Sequence, residues 1–261
     1  MTGRWFPDDA FPVIVAHRGA SSTHPENTLP SFAAALELGA PLVELDVRLT
    51  ADRVPVVLHD PDVSRTTDGT GFVHELTAAR VAELNAGTQR DPAHVPRLGD
   101  VLELVSGRGG VAIEIKNLPG EPGYEPGGEP TVEAVLAEVD RTGFRGPVLV
   151  VSFNPRSIAV AKATGAGVAT GLLTPELVPP PEALAHVVEA GHDVVLPGSR
   201  ALEPAGEAFV AEAHAAGVRV GTWTVDDPRA VRMFLGWEVD AIATNDPAMA
   251  LATLAASRGL T

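Results

Sequence analysis

Short runs of apolar and β-branched residues alternate with alanine-rich helical segments along this chain, and this alternation constrains the fold most. Eight of the runs are far enough apart to be parallel strands: 13–16, 42–47, 111–115, 148–151, 168–173, 194–196, 218–222 and 241–243. Helical patterns follow most of them, at 31–39, 131–143, 207–217 and 227–236. Such alternation is typical of a parallel sheet. Eight strands predict an α/β fold, a closed (β/α)₈ TIM barrel.

The stretch 54–59 is also strand-like, but we do not expect it to be a ninth barrel strand. Only about six residues separate it from the run at 42–47, whereas a parallel crossover needs roughly a dozen or more. We therefore expect it to fold back on that run as an antiparallel hairpin. Residues 60 to about 98 then form a small insertion after the hairpin.

Proline and glycine are dense in the tract 117–130, which predicts an exposed loop. No internal repeat or interdomain linker is evident, so we expect residues 1–261 to form a single domain. The 261 residues, of which 45% are hydrophobic, are enough for one large core.

Composition also narrows the possible partners. The absence of cysteine excludes disulfides and thiolate metal sites. The formal net charge of −15 makes nucleic acid a poor partner. The N-terminal MTGRWFPDDAFPVIVAH has the pattern of neither a secretory signal nor a membrane span. We therefore expect a cytoplasmic protein without stable membrane anchoring.

Ionisable side chains close the first three predicted barrel strands and the hairpin. The set comprises His17, Arg18, Glu44, Asp46, His59, Glu114 and Lys116. Because active sites of such barrels lie at the carboxyl ends of the strands, we expect these groups to meet at one mouth. Three carboxylates so close repel one another unless a cation neutralises them, and oxygen ligands favour Mg²⁺ or Ca²⁺ over zinc. The alternative is an ion-pair cluster of the acids with Arg18 and Lys116.

Two histidines and one lysine stand out within this set. His17 and His59 end strands beside the carboxylates, which suits general acid–base catalysis near neutral pH, although either could be a metal ligand. Lys116 is one of two lysines in a chain that otherwise uses arginine. Its compact ammonium suits a single phosphate or carboxylate oxygen.

Short motifs in a fixed order connect these residues to a known family. They are HRG (17–19), PENT (25–28), ELDV (44–47), the T-x-D…HD run (50–60), EIK (114–116), SF (152–153), WTV (223–225) and TNDP (244–247). The ordered set resembles the glycerophosphodiester phosphodiesterases, barrel-shaped enzymes related to phosphatidylinositol phospholipase C. The resemblance covers nearly the whole chain.

The resemblance implies an enzyme that hydrolyses glycerophosphodiesters to glycerol 3-phosphate and an alcohol with a divalent cation, Mg²⁺ or Ca²⁺. It implies metal binding by Glu44, Asp46 and Glu114. His17 and His59 would be the acid–base pair. It also implies that Arg18 and Lys116 bind the phosphate and that Trp223 borders the alcohol half of the substrate.

The first loop and two departures from the family pattern bear on the outer part of the site. Glu26 and Asn27 are expected to organise the first loop or to contact the substrate. Asp226 follows WTV where the family often has asparagine, and His24 precedes PENT where an aromatic or apolar residue is commoner. Both departures concern outer contacts of the substrate rather than the chemistry.

Three other functions are compatible with the same residues. The site could act on lysophospholipids as a lysophospholipase D-type enzyme. It could belong to a metal-dependent isomerase or aldolase for sugar phosphates, which does not require paired histidines. It could be a non-catalytic binding barrel, which the presence of both histidines and all three acids disfavours. The sequence leaves open the headgroup, the metal, which histidine is the acid, and whether the attacking group is a substrate hydroxyl or water.

Overall fold

The computed structural model describes residues 12–259. In it the eight expected runs are the strands of a closed parallel barrel. Its strands are β1 (Val13–His17), β2 (Leu42–Leu49), β3 (Pro55–Val57), β4 (Gly110–Ile115), β5 (Val148–Ser152), β6 (Ala169–Thr174), β7 (Val194–Pro197), β8 (Arg219–Thr222) and β9 (Ala241–Thr244). All except β3 pair in parallel with their neighbours, and β1 pairs with both β2 and β9. The (β/α)₈ expectation is confirmed.

The hairpin expected after the second strand is present. β3 pairs antiparallel with β2, with Val47 opposite Val57 and Leu49 opposite Pro55. The backbone N–H of Leu58 then donates to the carbonyl of Asp46 at 2.9 Å. This pairing returns the chain to the level of Asp46, where His59 follows.

The helices flank the barrel. They are α1 (Leu29–Glu37), α2 (Ala78–Ala82), α3 (Leu98–Val105), α4 (Pro130–Thr142), α5 (Pro155–Ala163), α6 (Pro180–Ala190), α7 (Ser199–Ala215), α8 (Pro228–Gly236) and α9 (Pro247–Ser257). Six of them carry proline in the first turn, where its missing N–H costs no hydrogen bond. The pattern at 207–217 predicted only the second part of α7, because Gly206 interrupts that helix with φ of 73°.

Apolar side chains fill two layers, one between barrel and helices and one inside the barrel. The inner layer includes small residues such as Ala112 and Ala241 beside Leu42, Leu149 and Leu173. The small side chains of Ala112 and Ala241 line a cavity inside the barrel.

The insertion between β3 and α3 has a core of its own. It contains two 3₁₀ turns, Val63–Arg65 and Val73–Glu75, and the short α2. Its buried side chains form a separate apolar cluster of Val56, Leu58, Val63, Val73, Val81, Leu84, Ala86 and Val95.

Across residues 12–259, none of the helices combines the length and the apolar character needed to cross a membrane. Residues 1–11, on which the expectation about a secretory signal largely rests, lie outside the described part of the chain.

Candidate active site at the carboxyl end of the barrel

Three acidic side chains meet at the ends of β2 and β4. In the register of these strands Asp46 lies opposite Glu114, and Glu44 precedes Asp46 by two residues, which places it on the same face. Each of the three offers a carboxylate oxygen within 4.8 Å of the others. All three residues are buried, with Asp46 completely inaccessible. The cluster can hold a metal ion.

Two cations lie against these acids. The Lys116 Nζ atom lies 3.1 Å from Asp46 Oδ1 and 2.6 Å from Glu114 Oε1. The Arg18 Nε atom lies 3.1 Å from Asp46 Oδ2. The ion-pair cluster that the sequence allowed is therefore present, but two cations facing three carboxylates leave an excess of negative charge.

Burial and neighbouring charges shift the pKa values of the three acids in different directions. Burial, together with the charges of Asp46 and Glu114, raises the pKa of Glu44 well above its ordinary value. Burial also raises the pKa of Glu114 to about 7, although Lys116 opposes the shift. For Asp46 burial acts in the same direction, but Lys116 and Arg18 outweigh it and lower the pKa. A cation bound beside Glu44 and Glu114 would oppose both shifts and favour their ionised forms.

The oxygen atoms of this cluster fit a hard divalent cation. Asp46 Oδ1 and Glu114 Oε1 are fully buried and share the single Lys116 ammonium, at 3.1 and 2.6 Å. Three carboxylates buried together repel one another unless further positive charge balances them. Oxygen ligands from several carboxylates are those that Mg²⁺ and Ca²⁺ take in proteins.

His17 is held by a neutral partner. Its Nδ1 atom lies 2.7 Å from the Oδ1 atom of Asn245, and the Asn245 Nδ2 atom donates to Asp226 Oδ2 at 2.6 Å. Because a carboxylate only accepts, the amide nitrogen must face Asp226 and the amide oxygen must face His17. His17 therefore carries its proton on Nδ1, and its Nε2 atom, 3.9 Å from Glu44, is the free nitrogen. Burial, and then Arg18, lowers the pKa of His17 to about 4, so the ring is neutral near pH 7.

His59 is held by a charged partner. Its Nδ1 atom lies 2.6 Å from Asp60 Oδ1. Burial lowers the pKa of His59, and the charge of Asp46 partly offsets this. Arg65 pairs with both Asp60 and Glu26, and Glu26 pairs in turn with Arg18 at 2.9 Å. A chain of alternating charges thus connects the hairpin end to the first loop.

The first loop is shaped around the acids. Arg18 adopts a left-handed backbone with φ of 58°, and its N–H donates to Glu44 Oε2 at 3.0 Å. Such strain at a non-glycine residue is typical of functional sites. Asn27, which is also left-handed and buried, donates to Asp46 Oδ2 at 2.8 Å. These contacts support the expectation that Glu26 and Asn27 organise this loop.

The opposite side of the mouth is apolar. Trp223 packs edge-to-face against Phe153, with ring centroids 5.3 Å apart, and its Nε1 donates to the Leu196 carbonyl at 2.9 Å. Together with Leu173 these residues line one wall of a cavity of about 290 Å³. The other wall is formed by the polar groups His17, Arg18, Glu44, His59, Glu114 and Lys116. Of the eight site residues expected from the sequence, seven line this cavity, and Asp46 is buried behind them.

The structure adds residues that the sequence did not assign. Three of them are Asp60, Phe153 and Asn245, which belong to the motifs HD, SF and TNDP. The motifs therefore pointed to these residues, but the sequence did not indicate what they do. Arg65 lies in the insertion and carried no signal, because one of its partners, Glu26, is 39 positions away in the chain.

Known proteins show the same arrangement of sequence and fold. Residues 17–249 match the model of the Glycerophosphoryl diester phosphodiesterase family. A glycerophosphodiester phosphodiesterase of Caldanaerobacter subterraneus subsp. tengcongensis is 33% identical over 245 residues, which are 90% of this chain and 94% of that one.

Solved structures agree. A phosphodiesterase of Oleispira antarctica in complex with the product sn-glycerol-3-phosphate superposes with a TM-score of 0.83 at 26% identity, covering 94% of this chain and 98% of that one. A glycerophosphodiester phosphodiesterase of Agrobacterium tumefaciens gives 0.77 at 27% identity, covering 92% and 99%. The resemblance drawn from the motifs is confirmed, and the chain belongs to the glycerophosphoryl diester phosphodiesterase family of phosphoric diester hydrolases.

Proposed function

We propose that the protein hydrolyses glycerophosphodiesters to glycerol 3-phosphate and an alcohol, in a metal-dependent reaction with His17 and His59 as the acid–base pair. One observation carries the proposal: both histidines line a single cavity with the acid cluster, and each has its Nδ1 atom occupied by a fixed partner. The relative from Oleispira antarctica, which shares the fold, binds sn-glycerol-3-phosphate as its product.

Glu44, Asp46 and Glu114 would hold the divalent cation, Mg²⁺ or Ca²⁺. Such an ion, when bound, would polarise a phosphoryl oxygen as a Lewis acid. Arg18 and Lys116 lie at the same mouth and would stabilise the charge that develops on the phosphate.

The two imidazoles would move the protons. His17 is neutral with a free Nε2 atom, and His59 has the Asp60 carboxylate to stabilise an imidazolium form. One ring would take a proton from the attacking oxygen, which is either water or the glycerol 2-hydroxyl. Attack by the hydroxyl would give a cyclic phosphate, which water would then open to glycerol 3-phosphate. The other would protonate the leaving alcohol.

The cavity supports a small substrate. Its volume of about 290 Å³ is at the lower end of ligand pockets, which typically begin near ~300 Å³. Trp223 and Phe153 would border the alcohol half. A lysophospholipid remains the second candidate because this wall is apolar and Leu177, on the loop after β6, is 94% exposed. Its acyl chain would extend beyond the cavity, which favours the glycerophosphodiester.

Assays on glycerophosphocholine and lysophosphatidylcholine, with metal removed and returned, would test the proposal. We expect chelation to abolish hydrolysis, Mg²⁺ or Ca²⁺ to restore it, and glycerophosphocholine to be the better substrate. Full activity in protein verified to be free of metal would exclude the metal-dependent part. Faster turnover of lysophosphatidylcholine would favour the second candidate, and no turnover of either would leave a binding barrel or a sugar-phosphate enzyme.

A further inference from the structure

Arg48 lies where β2 separates from β4 but is still paired with β3. The pairing of β2 with β4 ends at Val47 and Ile115, while its pairing with β3 continues through Leu49. Arg48 is two residues beyond Asp46 on β2 and is only 5% exposed. Its guanidinium therefore lies behind the mouth of the barrel, between the hairpin and the end of β4.

The guanidinium contacts the backbone of two residues assigned above to the reaction. Its Nε atom donates to the His59 carbonyl at 2.8 Å. Its Nη1 atom lies 3.5 Å from the Lys116 carbonyl. His59 and Lys116 belong to different segments, so Arg48 fixes the separation of their backbones as well as their positions relative to β2.

The third contact of Arg48 leads to the loop 117–130. Its Nη2 atom donates to Glu121 Oε2 at 2.7 Å. A guanidinium is a rigid planar fork, so fixing one nitrogen orients the other two. Glu121 also supplies the carboxylate that a buried cation requires. The loop therefore fixes the direction in which Arg48 points at His59.

The same hairpin and the same loop share a second ion pair, between Arg53 and Glu125. Both of its side chains are exposed, at 56% and 43%. Neither side chain has a hydrogen bond to a residue of the acid cluster or to either catalytic histidine among the contacts of residues 12–259. This outer pair is a matched control, since it ties the two segments without touching the site.

We propose that Arg48 is a positioning residue for the reaction and that Glu121 acts through it, coupling the loop 117–130 to His59 and Lys116. The inference rests on the proposed function, because it concerns the alignment of residues assigned to that reaction. The loop thereby contributes to turnover without contacting the reacting atoms.

The central experiment measures kcat and KM for glycerophosphocholine in Arg48→Met, which keeps the length of the side chain and removes its donors. We expect kcat to fall about 10- to 100-fold, the scale of a small misalignment, with KM changed by less than about threefold. Arg48→Lys should recover part of the loss, since one ammonium can reach one carbonyl.

The variant Glu121→Gln tests the coupling between the loop 117–130 and His59. The Glu121 side chain is partly exposed, so the substitution should not impair folding. We expect kcat to fall about threefold or more, whereas Arg53→Met and Glu125→Gln should stay within about twofold of wild type. In the double variant of Arg48→Met and Glu121→Gln, kcat should be no lower than in Arg48→Met alone, because Glu121 acts only through Arg48.

Nitrogen-15 spectra of the imidazoles give a readout that does not depend on turnover. In Arg48→Met the His59 resonances should shift or broaden, while those of His17, held by Asn245, should stay unchanged. If the wild type is active and both Arg48→Met and Glu121→Gln keep its kcat and its His59 spectra, the inference is overturned. A wild type inactive on every phosphodiester would instead overturn the proposed function, and the His59 spectra would still report on Arg48.

Discussion

The Oδ1 atom of Asn245 lies 2.7 Å from the Nδ1 atom of His17, although 228 positions separate the two residues in the chain. The contact links the last barrel strand to the first, since Asn245 follows β9 and His17 ends β1. Asp226 makes it directional, because its carboxylate accepts both from the Asn245 side chain and from the Asn245 backbone N–H. We expected Asp226, which departs from the family pattern, to bear only on outer contacts of the substrate. The structure instead places it behind Asn245, where it determines which nitrogen of His17 carries the proton.

We expect Asn245→Ala to lower kcat about 10- to 100-fold, the usual effect of removing the group that orients a functional histidine. The reason is that both tautomers of His17 become accessible, which nitrogen-15 spectra would detect as a changed ratio of Nδ1–H to Nε2–H forms. Asp246→Ala is the control, because Asp246 caps α9 in the same loop and does not contact His17. An unchanged tautomer in Asn245→Ala would contradict the assignment.

Replacement of either histidine by alanine should abolish most of the turnover and spare the fold. We expect His17→Ala and His59→Ala each to reduce kcat by roughly 10²–10⁴, the range for a positioned acid or base. His186→Ala, on the exposed face of α6, should be silent. Near-normal turnover in His59→Ala would show that the hairpin does not deliver a catalytic group.

Lys116→Arg should not behave as a conservative change. The ammonium lies between Asp46 and Glu114 in a side chain that is 4% exposed, so a wider guanidinium would crowd the acids. We expect kcat to fall by about 10² or more, as for the loss of one well-aimed electrostatic contact. Overpacking should also lower the free energy of unfolding by about 1–3 kcal/mol.

The matched control for this change is Lys162→Arg. Lys162 is 39% exposed and lies 3.8 Å from Asp193, far from the mouth. Steady-state kinetics and thermal unfolding of the two variants would separate them. If Lys116→Arg kept wild-type turnover, a point charge of either shape would suffice at this position.

His192 should make the stability of the fold depend on pH. The ring is 5% exposed, its Nδ1 atom lies 2.9 Å from Thr170 Oγ1, and its Nε2 atom is buried without a partner in the described part of the chain. Burial, and then Lys162 and His186, lower the pKa of His192 to about 4, and Asp193 opposes them. Between about pH 6.5 and 4 the unfolded chain therefore binds a proton that the folded protein does not.

The sign follows from this difference in proton binding. The free energy of unfolding should be independent of His192 above about pH 6.5 and should fall as the pH drops from there towards 4, by on the order of 3 kcal/mol. Denaturant unfolding of wild type and His192→Gln across this range would measure it. The variant should lose less stability than wild type on acidification, and parallel curves would refute the role of His192.

The fold was predictable because apolar residues recur with different periods in its strands and helices, and because short loops separate these elements. The eight strand runs and the β2–β3 hairpin followed from apolar runs and from the minimum length of a parallel crossover. The first half of α7 was not predicted, since Pro204 and Gly206 disrupt the helical pattern there. Such interruptions are compensated by tertiary packing that a local pattern does not show.

The positions of the candidate site residues were predictable where those residues end strands. Other residues of the candidate site were missed where their contacts join two loops. Glu44, Asp46 and Glu114 share a face because of strand alternation, which a sequence displays directly. Arg65 and Asn245 act through partners 39 and 228 positions away, and no local signal reports such a pairing. Arg48 was likewise missed, because a single arginine at the end of a strand usually indicates a solvated surface.

The two parts of the candidate site are carried by different parts of the fold: His59 follows the antiparallel β3, whereas the acids lie on the barrel strands β2 and β4. Among the described strands β3 neighbours only β2, and the insertion that follows packs on a small apolar cluster of its own. Such a segment can open at a lower free energy than the barrel that carries it. Opening would remove His59 while the acids on β2 and β4 stay together. Under mild denaturation the protein should therefore lose its activity before the acid cluster on β2 and β4 comes apart.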